Sequence, residues 1–130
     1  MRILVVDDNR DILELIQRVL LTYGYEVVIA RDGLEALQQE SHAQPDLVIL
    51  DVNLPTLDGW EVCRRIKARR DVPILLLTVR AERADIERSR DAGADDHLPK
   101  PFDIAEFLSH INRLVGRTLP PRPAGSAITQ

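Results

Sequence analysis

Short apolar runs at residues 3–6, 25–30, 47–50 and 74–77 alternate with segments of helical periodicity, and this alternation constrains the fold most. Strands alternating with helices imply an open parallel sheet, because the helices supply the long crossover connections that parallel pairs need. The run Leu47-Val48-Ile49-Leu50 is unbroken and rich in branched side chains. Such a run reads as a strand buried on both faces. It ends in Asp51, followed by the loop Asn53-Leu54-Pro55 and by Asp58-Gly59, which opens a helix. A carboxylate facing the core would be costly, so Asp51 is expected to face a cleft. In open α/β sheets, ligands bind outside the carboxyl ends of the strands. Asp51 is therefore the first candidate for chemistry, although Asp also serves as a turn former and helix cap.

In chain order, the first strand (residues 3–6) ends in Asp7-Asp8-Asn9. Helical spacing follows over 10–22, where Asp8 or Asn9 can cap and Gly24 stops the helix. Residues 25–30 form the second strand, and Asp32-Gly33 leads into a helix bounded by Pro45. After the third strand, a helix over 60–69 turns Val62, Cys63 and Ile66 inward and leaves its Arg/Lys cluster as a solvated face. Pro73 opens the fourth strand, which ends at Thr78. Residues 81–92 are unusually polar, so that helix should be short or loosely packed, with Ala84, Ile86 and Ala92 inward. Gly93 stops it. A short fifth strand over 95–98 leads to Pro99-Lys100-Pro101, and a last helix over 103–116 carries Asp103 in its first turn.

The chain of 130 residues is one domain over 1–117, long enough to bury a core without staples. Residues 118–130, with Pro120, Pro121 and Pro123, have linker composition and are expected to lead to an output domain. The net charge of −4 argues against a nucleic-acid-binding surface. A single cysteine excludes a disulfide framework or a cysteine-cluster metal site. No apolar run is long enough to span a membrane, and the N-terminus runs into a strand rather than a signal peptide. The expected compartment is the cytoplasm.

Five strands and five helices imply an α/β fold: a flavodoxin-like, doubly wound five-stranded parallel sheet of order 2-1-3-4-5. The resemblance named below implies the same order. Asp7, Asp8, Asp51, Thr78 and Lys100 then end strands on one edge of the sheet. Two like charges at 4 Å cost about 4 kcal/mol at an effective dielectric of 20, so three carboxylates there require cations. Lys100 supplies one, and a divalent ion would balance the rest. An all-oxygen donor set suits Mg²⁺ and not zinc. A phosphoryl group on Asp51 would have its oxygens met by Mg²⁺, Lys100 and the Thr78 hydroxyl, with Asp51 as the nucleophile. The plainer readings are a helix cap for Asp8, a strand residue for Thr78 and a surface lysine for Lys100.

With Asp7-Asp8, Leu50-Asp51-Val52-Asn53-Leu54-Pro55, Asp58-Gly59, Thr78, and Gly93-Ala94-Asp95-Asp96 through Lys100-Pro101-Phe102 in this order, the chain resembles the receiver domains of two-component response regulators. The resemblance covers residues 2–117 and lies closest to the winged-helix transcription-factor branch. It implies that Asp51 accepts a phosphoryl group from a phosphohistidine of a sensor histidine kinase. It implies that Asp8, Asp51 and the main-chain carbonyl of Asn53 bind Mg²⁺ with help from Asp7. By the same resemblance, Thr78 and Lys100 would hold the phosphoryl oxygens, and the Lys100-Pro101 bond would be cis.

Some positions depart from that pattern. His97 stands where the family usually has Tyr or Phe, the ring that moves inward together with Thr78 on switching. A charged ring costs more to bury. Val79 replaces a small residue and would narrow access to the phosphate. Asn53 and Arg80 line the mouth and would tune dephosphorylation. Asp95, Asp96, Glu106 and Arg117 fit the pairing face of that branch, but Ile86 and His110 replace basic residues and Ser89 and Arg90 replace apolar ones, so homodimerisation is not favoured. The competing readings are a degenerate receiver acting as a protein-binding scaffold and a small phosphohydrolase. The second resembles the haloacid-dehalogenase class, but Asn53 occupies the place of its second Asp and cannot be a general acid. A flavin-binding module lacks its Ser/Thr-rich phosphate loop.

Overall fold

The computed structural model describes residues 1–79 and 83–118, with side chains to residue 116. The elements are β1 (Arg2–Val6), α1 (Arg10–Thr22), β2 (Glu26–Ala30), α2 (Gly33–Ala43), β3 (Leu47–Asp51), α3 (Gly59–Arg69), β4 (Ile74–Thr78), α4 (Arg83–Asp91), β5 (Asp96–Pro99) and α5 (Ile104–Thr118). The strands pair in parallel in the order β2-β1-β3-β4-β5. This is the flavodoxin-like sheet expected from the alternation. Thr118 extends α5, and residues 119–130 of the expected linker lie outside the described residues.

Burial explains the unbroken apolar runs. Every residue of β3 and β4 is buried. Alternate side chains enter two separate cores, as the period of two in a strand requires. Leu4, Val6, Val48, Leu50, Ile74 and Leu76 meet Ala36 of α2 and the inner face of α3. Ile3, Val5, Leu47, Ile49, Leu75 and Leu77 meet α1 and α5, with Phe107 fully buried. Among the described residues, no helix is long and apolar enough to cross a membrane.

The helix ends follow local chemistry. Asn9, not Asp8, caps α1, its side chain accepting from the N–H groups of Asp11 and Ile12. Gly24, at φ +86°, ends α1 in a Schellman turn: Gly24 N–H donates to Leu21 O and Tyr25 N–H to Leu20 O. Gly93 ends α4 in the same way. Asp103 lies just before α5 rather than in its first turn. It forms a capping box with Glu106, accepting from Glu106 N–H at 2.7 Å while its own N–H reaches the Glu106 carboxylate at 3.4 Å.

Two further expectations need correction. The basic cluster of α3 is not only a solvated face. Arg64 and Arg65 pair with Glu61 at the surface, but Arg69 and Arg70 reach across to Glu40 of α2 at 2.9 and 3.0 Å. Glu40 is 1% exposed. A lone carboxylate could not be buried at that depth, so the two guanidinium groups make its burial tolerable. On α4, Ala84 is exposed, and the buried position is taken by Ser89. Ile86 is half-buried, and Ala92, just past the helix, is buried. Cys63 packs in the core, its thiol directed to Ala92 O at 3.4 Å, and burial pushes its pKa up to about 11.

Removing Glu40 should leave two arginines without their shared partner. Glu40→Ala is expected to lower stability by about 2–3 kcal/mol, and Glu40→Gln by less, read as shifts of the urea midpoint at constant slope.

Candidate functional site

The carboxyl ends of the central strands bring the expected residues together. Asp7 follows β1, Asp51 ends β3, Thr78 ends β4, and Lys100 follows β5. The switch point of the sheet lies between β1 and β3, where Asp7 and Asp51 stand. Carboxylate oxygens of Asp7, Asp8 and Asp51 lie within 4.8 Å of one another. Lys100 Nζ sits between two of them, 3.0 Å from Asp7 Oδ2 and 3.4 Å from Asp51 Oδ1. Asp7, Asp51 and Thr78 are buried, and Asp8 is exposed.

The backbone aims these groups. Asp7 Oδ1 accepts from Asn9 N–H at 2.9 Å, so both of its oxygens are engaged. Asp51 Oδ1 accepts from Asn53 N–H at 3.3 Å. Lys100 N–H donates to Thr78 O at 2.7 Å, which ties the lysine to the end of β4, and the Lys100-Pro101 bond is cis. Val52 N–H donates to Leu77 O and Gly59 N–H to Val52 O. Asp58 caps α3 by accepting from Glu61 N–H at 2.9 Å.

Gly59 is the close contact that the Asp-Gly motif did not disclose. A Cβ at this position would lie 2.3 Å from Asp51 O and 2.7 Å from Val52 Cα. Only glycine lets the first turn of α3 rest on the acceptor strand's backbone. The loop before it is fastened to α2. Gly33 N–H donates to Pro55 O, and Leu34 N–H to the hydroxyl of Thr56, whose φ is +69°.

Burial raises the Asp51 pKa to about 6; the Asp7 carboxylate beside it adds to the rise, while Lys100 and Asn53 N–H oppose it. Three carboxylates and one ammonium leave an excess of two negative charges. All available donors are oxygens, and the carboxylates are close enough to share one ion, so the site fits a hard divalent cation such as Mg²⁺.

Around the mouth, Asn53 is exposed and Val79 is 59% exposed. Arg80 lies outside the described residues. His97 is half-buried and lines a groove with Ile86, Ser89 and Arg90; its N–H donates to Asp96 Oδ1 at 2.9 Å.

The sequence matches the response regulator receiver domain family over residues 3–112, and the chain belongs to that family. It is 47% identical over 127 residues to the response regulator MprA of Mycobacterium leprae, covering 97% of this chain and 56% of that protein. The MprA of Mycobacterium bovis is also 47% identical, over 126 residues. The chain thus spans a little over half the length of these curated relatives. Among solved structures, the BeF3-activated N-terminal receiver domain of Klebsiella pneumoniae RstA superposes with a TM-score of 0.84 at 30% identity, covering 88% of this chain and 98% of that one. A putative response regulator of Chloroflexus aurantiacus gives 0.82 at 37% identity, covering 89% and 98%.

Two measurements test this geometry. Gly59→Ala should cost about 2–3 kcal/mol, because the methyl group meets backbone. Gly116→Ala, with nothing within 4 Å, should be neutral or slightly stabilising. The second concerns pH. The Asp51 pKa is about 6 in the folded chain, against 3.8 for the ordinary group. Its ionised form therefore opposes folding above pH 6, and that penalty disappears as pH falls from 6 to 4. Without divalent cations, Asp51→Asn should be more stable than wild type by about 3 kcal/mol at pH 7.5, with most of the difference gone near pH 4, read by thermal melts across pH.

Proposed function

We propose that this domain is a phosphorylation-dependent signalling switch in which Asp51 accepts a phosphoryl group from a phosphohistidine of a sensor histidine kinase. The observation that carries the reading is the Lys100 ammonium held between Asp7 and Asp51 inside an acidic cluster at the switch point. An Asp51 oxygen attacks phosphorus as the phosphorus–nitrogen bond to the kinase imidazole breaks, and the ring nitrogen keeps the electron pair and is reprotonated. Lys100 draws one phosphoryl oxygen and the Thr78 hydroxyl donates to another as charge develops. Asp8, Asp51 and the Asn53 carbonyl, with Asp7 supporting, would hold Mg²⁺, which would supply charge neutralisation when bound. The site geometry and family membership favour this reading over the scaffold reading. Phosphotransfer and hydrolysis of the acyl phosphate are assisted by the domain itself, so it is a phosphoacceptor rather than a turnover enzyme. Asn53, Val79 and Arg80 tune hydrolysis, and Thr78 and His97 take part in switching the α4/β5 surface.

The partners follow from this. The cytoplasm is the compartment proposed for the domain and its kinase. The relatives' greater length supports residues 118–130 as a linker to an output domain. Engagement of the acidic residues within the chain supports a monomer. Asp95 binds Lys67 at 2.7 Å, and Asp96 meets His110 Nδ1 at 2.6 Å and Arg113 at 3.3 Å.

Intact mass after incubation with acetyl phosphate and Mg²⁺ tests the proposal. Wild type should gain one phosphoryl group and Asp51→Asn none. Lys100→Ala should react about a hundredfold more slowly. Unlabelled wild type that still binds Mg²⁺ would point to the scaffold reading.

A further inference from the structure

We propose that Trp60 is a positioning residue that carries the state of Asp51 to α4 through Ser89 and Arg88, beside any route through Thr78 and His97; this rests on the switch reading above. Trp60 is the sole tryptophan of the chain and is 4% exposed. It directly follows Gly59, the residue seated on the Asp51 carbonyl without room for a Cβ. Its indole Nε1–H donates to Ser89 Oγ at 3.0 Å, and the Arg88 guanidinium lies 4.1 Å from the ring centroid.

Among the described residues, helix α4 buries little else. Ser89 is its buried residue, Asp85 and Ile86 are half-buried, and the remaining described side chains of the helix are exposed. The Ser89 hydroxyl is committed at both ends, accepting from Trp60 and donating to Asp85 O at 3.0 Å. If it turned away, it would strand a buried indole N–H, a group that native structures rarely leave unpaired. The guanidinium over the ring adds a second attraction at the surface end of the contact. Displacement of the β3–α3 loop toward a phosphoryl group therefore moves Gly59, then Trp60, and with it the centre of α4. In that scheme α4 is the two-state element that the acceptor site biases, which is what a claim of coupling requires.

The test is amide hydrogen exchange of residues 84–92, with and without acetyl phosphate and Mg²⁺, with intact mass recorded on the same samples. Wild type should show about a threefold or greater change in α4 exchange on phosphorylation. Ser89→Ala should raise resting α4 exchange about fivefold, the equivalent of one hydrogen bond of about 1 kcal/mol. It should also lose more than half of the phosphorylation response while still gaining the phosphoryl group. Trp60→Phe should behave like Ser89→Ala, and Ser89→Thr should restore the response. A full wild-type response in Ser89→Ala, at equal labelling, would overturn the tie. So would a labelled wild type whose α4 exchange does not change. Absence of any phosphoryl gain in wild type would instead overturn the switch reading, and the tie with it.

Discussion

A lysine ammonium held between two buried carboxylates is the interaction on which the rest of the site depends. Three acidic groups share the carboxyl edge of the sheet, and water has been removed from two of them. Lys100 offsets only part of that charge, and the raised Asp51 pKa records the remainder. The fold keeps this arrangement because the strands that deliver it are buried on both faces, and each side chain has a close-packed place in one of two cores that a slip would misfill. Stability is thus stored in the sheet and spent at its edge, the usual relation between a scaffold and a reactive site.

The architecture was legible because each level of the chain agrees with the next. Apolar runs, stop glycines and strand-ending polar residues all point to one topology. Asp7, Asp51, Thr78 and Lys100 could be found because polar residues that end buried strands have one edge to share. The less legible features were contacts between elements distant in sequence. Glu40 looks like a surface glutamate until Arg69 and Arg70 arrive from the C-terminal end of α3 and its cap. Ser89 looks like a solvent residue until Trp60 supplies a donor. The Asp58-Gly59 pair announces a helix start, but not that the Gly59 Cα rests against the Asp51 carbonyl. Periodicity assigns faces by hydrophobicity, so it misplaces a helix whose buried position is polar, as it did with Ala84 and Ser89 on α4.

The two cores divide the labour. The face covered by α1 and α5 is filled, beneath the acidic site, by large aliphatic side chains and Phe107. The opposite face, under α2, α3 and α4, contains the Glu40 ion pairs and the Trp60–Ser89 bond. Polar contacts of this kind specify geometry more sharply than they add stability. The side of the sheet proposed to change shape is therefore also the side whose packing depends on direction.

Cys63 lies on that polar-stitched face, beneath the carbonyl of Ala92 where α4 ends. A thiol pushed up to about 11 is almost wholly protonated at neutral pH, and oxidants and electrophiles react with the thiolate. The one sulfur able to form a disulfide is thus chemically silent while the fold is closed. With Cys63 fully buried, a thiol reagent would find its target only in chains whose α3–α4 seam has opened, so the thiol reports on that seam.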